Sequence, residues 1–197
     1  MTVPPRLILA STSVYRRELL DRLRVPFECR SPGVDERELT GEVPIARAER
    51  LAIEKAQAVA RQVDDALVIG ADQVAVLDDQ VADKPLTHAN AFAQLRRASG
   101  RVMRLHSAIA LVDTRSGALS ARVEVCTVHF RVLSDATIEA YLAAEQPYDC
   151  AGSARIEALG IALASRVESS DPTTIIGLPL IALVDMLEQH GLPVLPR

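Results

Sequence analysis

The run Arg6-Leu7-Ile8-Leu9-Ala10, followed at once by Ser11-Thr12-Ser13, restricts the fold of this chain more than any other feature. A short aliphatic run bounded by polar residues reads as a buried strand, and the hydroxyls after it suit the cap of a helix running to about Arg24. The chain therefore opens on a strand-to-helix turn. Downstream, Glu28 to Pro32 reads as a second strand. Pro44 opens a long helix to about Gln62, because proline suits a first helical turn and Ile45, Ala48, Leu51, Ala52, Ala56 and Val59 follow helical spacing.

The alternation continues. Ala66 to Ala71 and Val74 to Leu77 are β-rich, which puts Asp72 between or within strands, and Asp78-Asp79-Gln80 reads as a turn leading to Asp83-Lys84-Pro85. Thr87 caps a helix that Gly100 ends. Val102 to Val112 and Ala121 to Val132 read as a long hairpin across Ser116-Gly117. Ser134 begins a helix to about Glu145, a glycine-bearing connection spans Pro147 to Gly160, and Thr174 to Pro179 precede a last helix ending near His190. Helices alternating with strands, antiparallel pairs among them, indicate an α/β protein. At 197 residues, one domain spanning residues 1–197 is the expectation, and a two-lobed form of it is equally compatible.

Composition narrows the function. A net charge of -4 and 3% aromatics do not suit a protein that tracks a nucleic-acid backbone, whereas a phosphate-bearing small molecule needs only a few placed cations and a metal. Cys29, Cys126 and Cys150 form no Cys-x-x-Cys pair, and the N-terminal run Met1-Thr2-Val3-Pro4-Pro5-Arg6 has no basic region followed by an apolar one. No apolar stretch reaches the length of a membrane span. The expectation is a cytoplasmic protein with neither a nucleic-acid nor a membrane partner. There is no Gly-x-x-x-x-Gly-Lys-Ser/Thr loop and no Gly-x-Gly-x-x-Gly run, which argues against a P-loop enzyme and a dinucleotide dehydrogenase.

Three places could carry chemistry. Ser11 to Arg17 sits where free backbone N–H groups and the helix dipole favour an anion, and Arg16 shares a helix face with Leu20 and Leu23. An ordinary capped helix with one snorkelling arginine accounts for this segment at least as well. Lys55 lies on the Leu51–Val59 ridge; a lysine at the edge of the stripe with a buried stem is the plainer reading, although a buried cation would need an anion. Asp72 follows Gly70-Ala71 at an expected strand end, where α/β proteins commonly place ligands, and could hold a cation or accept a proton from water. Lys84 could return a cation to the same place across the turn. On pattern alone, a charged hairpin tip is the plainer reading of these two.

Together these segments resemble the Maf family of septum-formation inhibitor-like nucleoside triphosphate pyrophosphatases. The resemblance covers nearly the whole chain. It rests on Leu7-Ile8-Leu9-Ala10-Ser11-Thr12-Ser13 with Arg16 and Leu19-Leu20, then Val34-Asp35-Glu36, Glu54-Lys55-Ala56, Gly70-Ala71-Asp72-Gln73-Val74, Lys84-Pro85, Ala151-Gly152-Ser153 and Gly177-Leu178-Pro179-Leu180. It implies an elongated mixed sheet with flanking helices and a central cleft, akin to inosine triphosphatases. It further implies a divalent cation (Mg²⁺, Mn²⁺ or Co²⁺) and hydrolysis of a nucleoside triphosphate to its monophosphate and pyrophosphate. By the same resemblance Ser11, Arg16, Lys55 and Lys84 contact phosphates, Asp72 is the catalytic base, and Glu36 and Asp72 serve the metal. The partner is then a small-molecule nucleotide, and a homodimer stays open.

Many members carry arginine at Tyr15, threonine at Gln73 and glutamine at Glu157, and prefer pyrimidine triphosphates. An aromatic, Gln and Glu instead resemble the 7-methyl-GTP pyrophosphatase subgroup, whose aromatic is usually tryptophan. The combination is chemically reasonable, since a 7-methylguanine ring is cationic and gains from an aromatic face and a carboxylate. Tyr15 packing on the first helix and Glu157 as a solvated loop charge are the bland alternatives. The chain departs from the family at Val14, Asp83, Ala154 and Ala158, often proline, glycine, an aromatic and glycine; these departures leave the reaction type intact and bear on the base pocket. A non-catalytic regulator of cell division, and a pyrophosphatase for pyrimidine or inosine-type triphosphates, are the other functions compatible with this pattern.

Overall fold

A computed structural model describes residues 5–195 of the chain; the first four residues of the N-terminal run lie outside them. Strands β1 (Arg6–Ala10), β2 (Glu28–Arg30), β3 (Ala66–Leu77), β4 (Gln80–Val81), β5 (Val102–Asp113), β6 (Leu119–Phe130) and β7 (Ala164–Glu168) form a mixed sheet in the order β2-β1-β3-β5-β6-β7, with β4 paired to β3. Helices α1 (Val14–Asp21), α2 (Pro44–Ala60), α3 (His88–Ala98), α4 (Asp135–Glu145) and α5 (Leu180–Gln189) complete it. The α/β class read from the sequence is the class observed. Among the described residues no helix is long and apolar enough to cross a membrane.

The chain divides into two compact units. The first comprises the residues up to Asp72, Ser107–Glu124, and those from Asp171 onward. Here β1 runs parallel to both β2 and β3, with Ile8 opposite Val68 and Ala10 opposite Gly70. Parallel neighbours need crossover connections, and α1 and α2 are those crossovers. Both faces of β1 are consequently covered. Leu7, Leu9, Leu67 and Ile69 pack with Leu19 and Leu20 of α1 and with Leu183, Met186 and Leu187 of α5, while Ile8, Ala10 and Val68 pack with Val59 of α2. Each of these Leu, Ile, Val and Met side chains contributes roughly 1.5–3 kcal/mol by leaving water. That is why β1 reads as a continuous apolar run rather than an alternating one.

The second unit comprises Gln73–His106 and Val125–Ser170. Helices α3 and α4 pack on one another, burying Leu95 and Ile138. The Tyr141 hydroxyl accepts a hydrogen bond from the Arg155 N–H at 2.9 Å. β7 pairs antiparallel with β6 at the end of the sheet order, and was not anticipated: its residues after Ala164 are all exposed, so it carries no apolar alternation.

Local capping follows the sequence closely. The Ser13, Thr87 and Ser134 hydroxyls accept from the backbone N–H groups of Arg16, Asn90 and Thr137 at the starts of α1, α3 and α4. One expectation changes: α1 ends at Asp21 rather than near Arg24, which adopts φ +56. β3 is one unbroken twelve-residue strand, so of the two placements open to Asp72, between strands or within one, the structure takes the second.

Candidate active site

Strand alternation and helix periodicity together decide what stands beside Asp72. In β3 the side chains of Leu67, Ile69 and Ala71 face α1 and α5, so Val68, Gly70 and Asp72 face α2. On α2, Ala52, Lys55, Ala56 and Val59 share the buried face. Gly70 is where the two elements come closest, since a β-carbon there would lie 2.0 Å from the Ala52 carbonyl oxygen and 2.6 Å from the Ala56 nitrogen. An isolated glycine inside a strand pattern is the sequence signal for such an approach. The approach lets Lys55 reach the strand. Its Nζ donates to Asp72 Oδ1 at 2.6 Å and pairs with Glu36 Oε1 at 2.8 Å.

The Lys55 and Asp72 side chains are 5% and 9% exposed, while that of Glu36 is 58% exposed, so the cluster is a buried pair with one carboxylate reaching it from a surface loop. A lysine at the edge of the stripe with its head in water is therefore not what is found. The ammonium is desolvated, which is tolerable only because two anions meet it. Lys55 has three N–H donors, and with two committed here a third remains. Among the described residues no donor reaches Asp72 Oδ2.

Arg16, partly buried on α1, donates through Nε to the Gly177 carbonyl at 3.1 Å. Burial pulls its pKa below the usual guanidinium value, and the negative charges of Asp72 and Glu36 oppose that pull. With Nε occupied, its terminal nitrogens are the ones left for an anion. Gly177 has φ +104, a left-handed conformation that suits glycine, and it closes the 3₁₀ turn Thr174–Ile176 before α5. The carbonyl that orients Arg16 is thus delivered by a turn more than a hundred residues away in sequence, and only the short motif Gly177-Leu178-Pro179 hinted at it. Ser11 lies at the end of β1, its Oγ accepting from the Ser13 N–H at 3.1 Å. It lines an open pocket of about 170 Å³ with Thr12, Ser13, Val14, Arg17, Cys29, Arg30 and Ser31. Tyr15 is half-buried on α1.

The remaining candidates belong to the second unit. Gln73 is partly buried in β3, and Lys84 is exposed on the segment between β4 and α3. The Glu157 side chain is only 24% exposed. Burial pushes its carboxyl above the usual range, against the pull of a backbone hydrogen bond and of Arg155, whose Nε is 3.8 Å away. It is thus more sheltered than a solvated loop charge. Its loop is closed on Gly160, whose N–H donates to the Arg155 carbonyl at 2.9 Å and whose missing β-carbon would lie 2.4 Å from that oxygen.

Among the described residues no group of three or more His, Cys, Asp and Glu side chains is placed to hold a metal. Asp72 and Glu36 do bring two carboxylates to one cation, Lys55. Two hard oxygen donors suit Mg²⁺ or Mn²⁺, which such sites hold through one or two carboxylates with substrate phosphates and water completing the shell. The donor set fits a cation that arrives with its substrate.

Sequence comparison places the chain among known proteins. The Maf-like protein family model matches residues 6–190. A protein of Thiobacillus denitrificans described as a 7-methyl-GTP pyrophosphatase is 57% identical over 97% of this chain and 95% of the relative. Proteins of the same description from Cupriavidus metallidurans and Paraburkholderia xenovorans are each 56% identical, over 96% and 98% of this chain and 95% of each relative. Among solved structures, the Staphylococcus aureus Ham1 protein is similar with a TM-score of 0.46 and 14% identity, over 64% of this chain and 71% of that one.

Proposed function

The chain belongs to the Maf family, and from that premise we propose that it is a nucleoside triphosphate pyrophosphatase that converts 7-methyl-GTP to 7-methyl-GMP and pyrophosphate. The observation that carries the reaction type is the buried pair of Lys55 Nζ and Asp72 Oδ1 at 2.6 Å, with Glu36 on the same ammonium. A desolvated carboxylate with one oxygen held in place by Lys55 suits a general base.

In this reading Asp72 Oδ2 takes the proton of a water whose oxygen bonds to the α-phosphorus, and the bond from that phosphorus to the bridging oxygen breaks to release pyrophosphate. Lys55 keeps Oδ1 fixed and offers its remaining N–H to a phosphate oxygen. Arg16, oriented by the Gly177 carbonyl, and Ser11 bind other phosphate oxygens, and Lys84 adds a further cation. Asp72 and Glu36 would hold a divalent cation, which when bound neutralises phosphate charge and lowers the pKa of water. Tyr15, Gln73 and Glu157 select the base, the carboxylate of Glu157 favouring the positive 7-methylguanine ring. The description of relatives at 54–57% identity supports the choice of 7-methyl-GTP. The cytoplasmic location expected from the sequence belongs to the same proposal.

A panel of triphosphates assayed for pyrophosphate, with and without Mg²⁺ or Mn²⁺, tests both levels. Release from 7-methyl-GTP ahead of thymidine and uridine triphosphates is expected. Faster turnover of the pyrimidine substrates overturns the base preference, and no release from any triphosphate overturns the enzyme itself.

A further inference from the structure

Glu36 reaches the site from a long connection between β2 and α2 that has no strand or helix of its own. Connections of this length without secondary structure need something else to hold them, and are commonly functional. Here α2 does the holding. Arg50 grips Glu42 with a two-pronged contact, Nε to Oε1 at 2.6 Å and Nη2 to Oε2 at 2.7 Å. The same Nη2 donates to the Arg37 carbonyl at 3.3 Å, and Nη1 donates to Glu54 at 3.0 Å. Arg47, one turn earlier, donates to the Glu36 carbonyl at 3.4 Å. Lys55, further along the same helix, binds the Glu36 carboxylate itself.

Arg50 and Glu42 side chains are 20% and 9% exposed, so this is not a loose surface pair. A planar fork with several fixed donors can satisfy a carboxylate and a backbone carbonyl at once, which a lysine ammonium cannot do in the same geometry. We infer that Arg50 is a positioning residue: by tying Arg37 and Glu42 to α2 it sets where the Glu36 carboxylate stands relative to Lys55 and Asp72. The inference rests on the proposed site, in which Glu36 serves the divalent cation. Arg50's partners among the described residues are Glu42, Glu54 and the Arg37 carbonyl, so its influence on Lys55 and Asp72 passes through the loop.

The test compares wild type with Arg50→Lys, Glu42→Gln, Glu36→Ala and the double variant Glu36→Ala/Arg50→Lys. Three readouts are used: Mn²⁺ binding by water-proton relaxation in the presence of the non-cleavable α,β-methylene analogue of the triphosphate, tryptic cleavage after Arg37, and pyrophosphate release as a function of cation concentration. Arg37 is 79% exposed and reports directly on loop docking. Arg50→Lys and Glu42→Gln should each speed cleavage after Arg37 and weaken Mn²⁺ binding by about 10- to 100-fold, the usual effect of losing a residue that orients a ligand. Saturating cation should restore most of kcat. In the Glu36→Ala background, Arg50→Lys should bring no further loss of Mn²⁺ affinity, because the group it positions is gone. Losses that multiply in the double variant, or unchanged cleavage and Mn²⁺ binding in Arg50→Lys, would overturn the inference. Should no triphosphate be hydrolysed, the proposed activity falls, while cleavage and Mn²⁺ binding still decide the role of Arg50.

Discussion

Gly70 lies so close beneath α2 that a β-carbon on it would stand 2.0 Å from the carbonyl oxygen of Ala52. The atoms in the way are backbone, not the ends of flexible side chains. The close approach is what places Lys55 over Asp72, so a residue with no side chain governs the most charged contact of the site.

Gly70→Ala should therefore push α2 away from β3. Overpacking of this kind costs about 1–3 kcal/mol, with the upper end expected because backbone must move. Urea denaturation should show that loss, and kcat should fall with it as Lys55 leaves Asp72. Native stability together with native turnover would contradict this account of the helix–strand contact.

Lys55→Met should strand the Asp72 carboxylate in the interior. Breaking a buried pair from one side costs about 3–5 kcal/mol, whereas replacing both partners with apolar groups is often neutral. Lys55→Met/Asp72→Leu should accordingly regain thermal stability and remain inactive. A double variant no more stable than the single one would show that the pair is not energetically coupled.

Asp72→Asn keeps the shape and removes the proposed base. Turnover should fall by about 10²- to 10⁴-fold, the range a general base contributes, with circular dichroism still that of a folded protein although Tm drops, because Lys55 loses one of its two anions. Near-normal turnover would remove Asp72 from the chemistry.

With Glu157 in its proposed role, base selection depends on pH through this carboxyl group. Because burial raises its pKa, it loses its charge at a higher pH on acidification than an ordinary glutamate does. The KM for 7-methyl-GTP should rise as pH falls through that raised value, with a smaller change for GTP. Glu157→Gln should flatten the profile and reduce the preference for the methylated base about tenfold, equivalent to about 1.4 kcal/mol. An unchanged preference would assign base selection elsewhere.

Asp113, at the end of β5, accepts from Arg115 Nε at 2.9 Å, Nη2 at 2.8 Å and the backbone N–H at 3.0 Å. The Arg115 guanidinium holds its carboxyl well below the ordinary 3.8, against the upward push of burial. A depressed carboxylate adds stability that is fully present above its unfolded value and is lost as pH falls through the folded one. Asp113→Asn should thus be destabilised at neutral pH and converge with wild type in strong acid. The loss at pH 7 should lie near the lower end of about 1.5–3 kcal/mol, since Arg115 is 38% exposed and partly screened. Equal differences at pH 7 and in acid would rule this linkage out.

Features written in neighbouring residues were legible. Ser13, Thr87 and Ser134 are caps because each hydroxyl lies within three residues of the N–H it satisfies, and β1 reads as buried because Leu7 to Ala10 are uniformly apolar. β7 was missed because an exposed edge strand needs no pattern beyond a partner, and its partner β6 is distant in the chain. Sequence left open whether Asp72 lies between strands or within one, because the partner that lets a carboxylate stay inside a strand, Lys55, is brought to it only by the fold.

Sequence alone determined the alternation of helices and strands, the family to which the chain belongs, and the residue types available for phosphate chemistry, because these depend on local order and composition. Tertiary structure decided which side of the helix stripe Lys55 favours, that Asp72 is buried within β3, and that Arg16 is aimed by Gly177. Desolvation and ion pairing depend on groups far apart in sequence: Lys55 and Asp72 are 17 positions apart, Arg16 and Gly177 are 161. A buried charge has no meaning until the fold brings its opposite within reach.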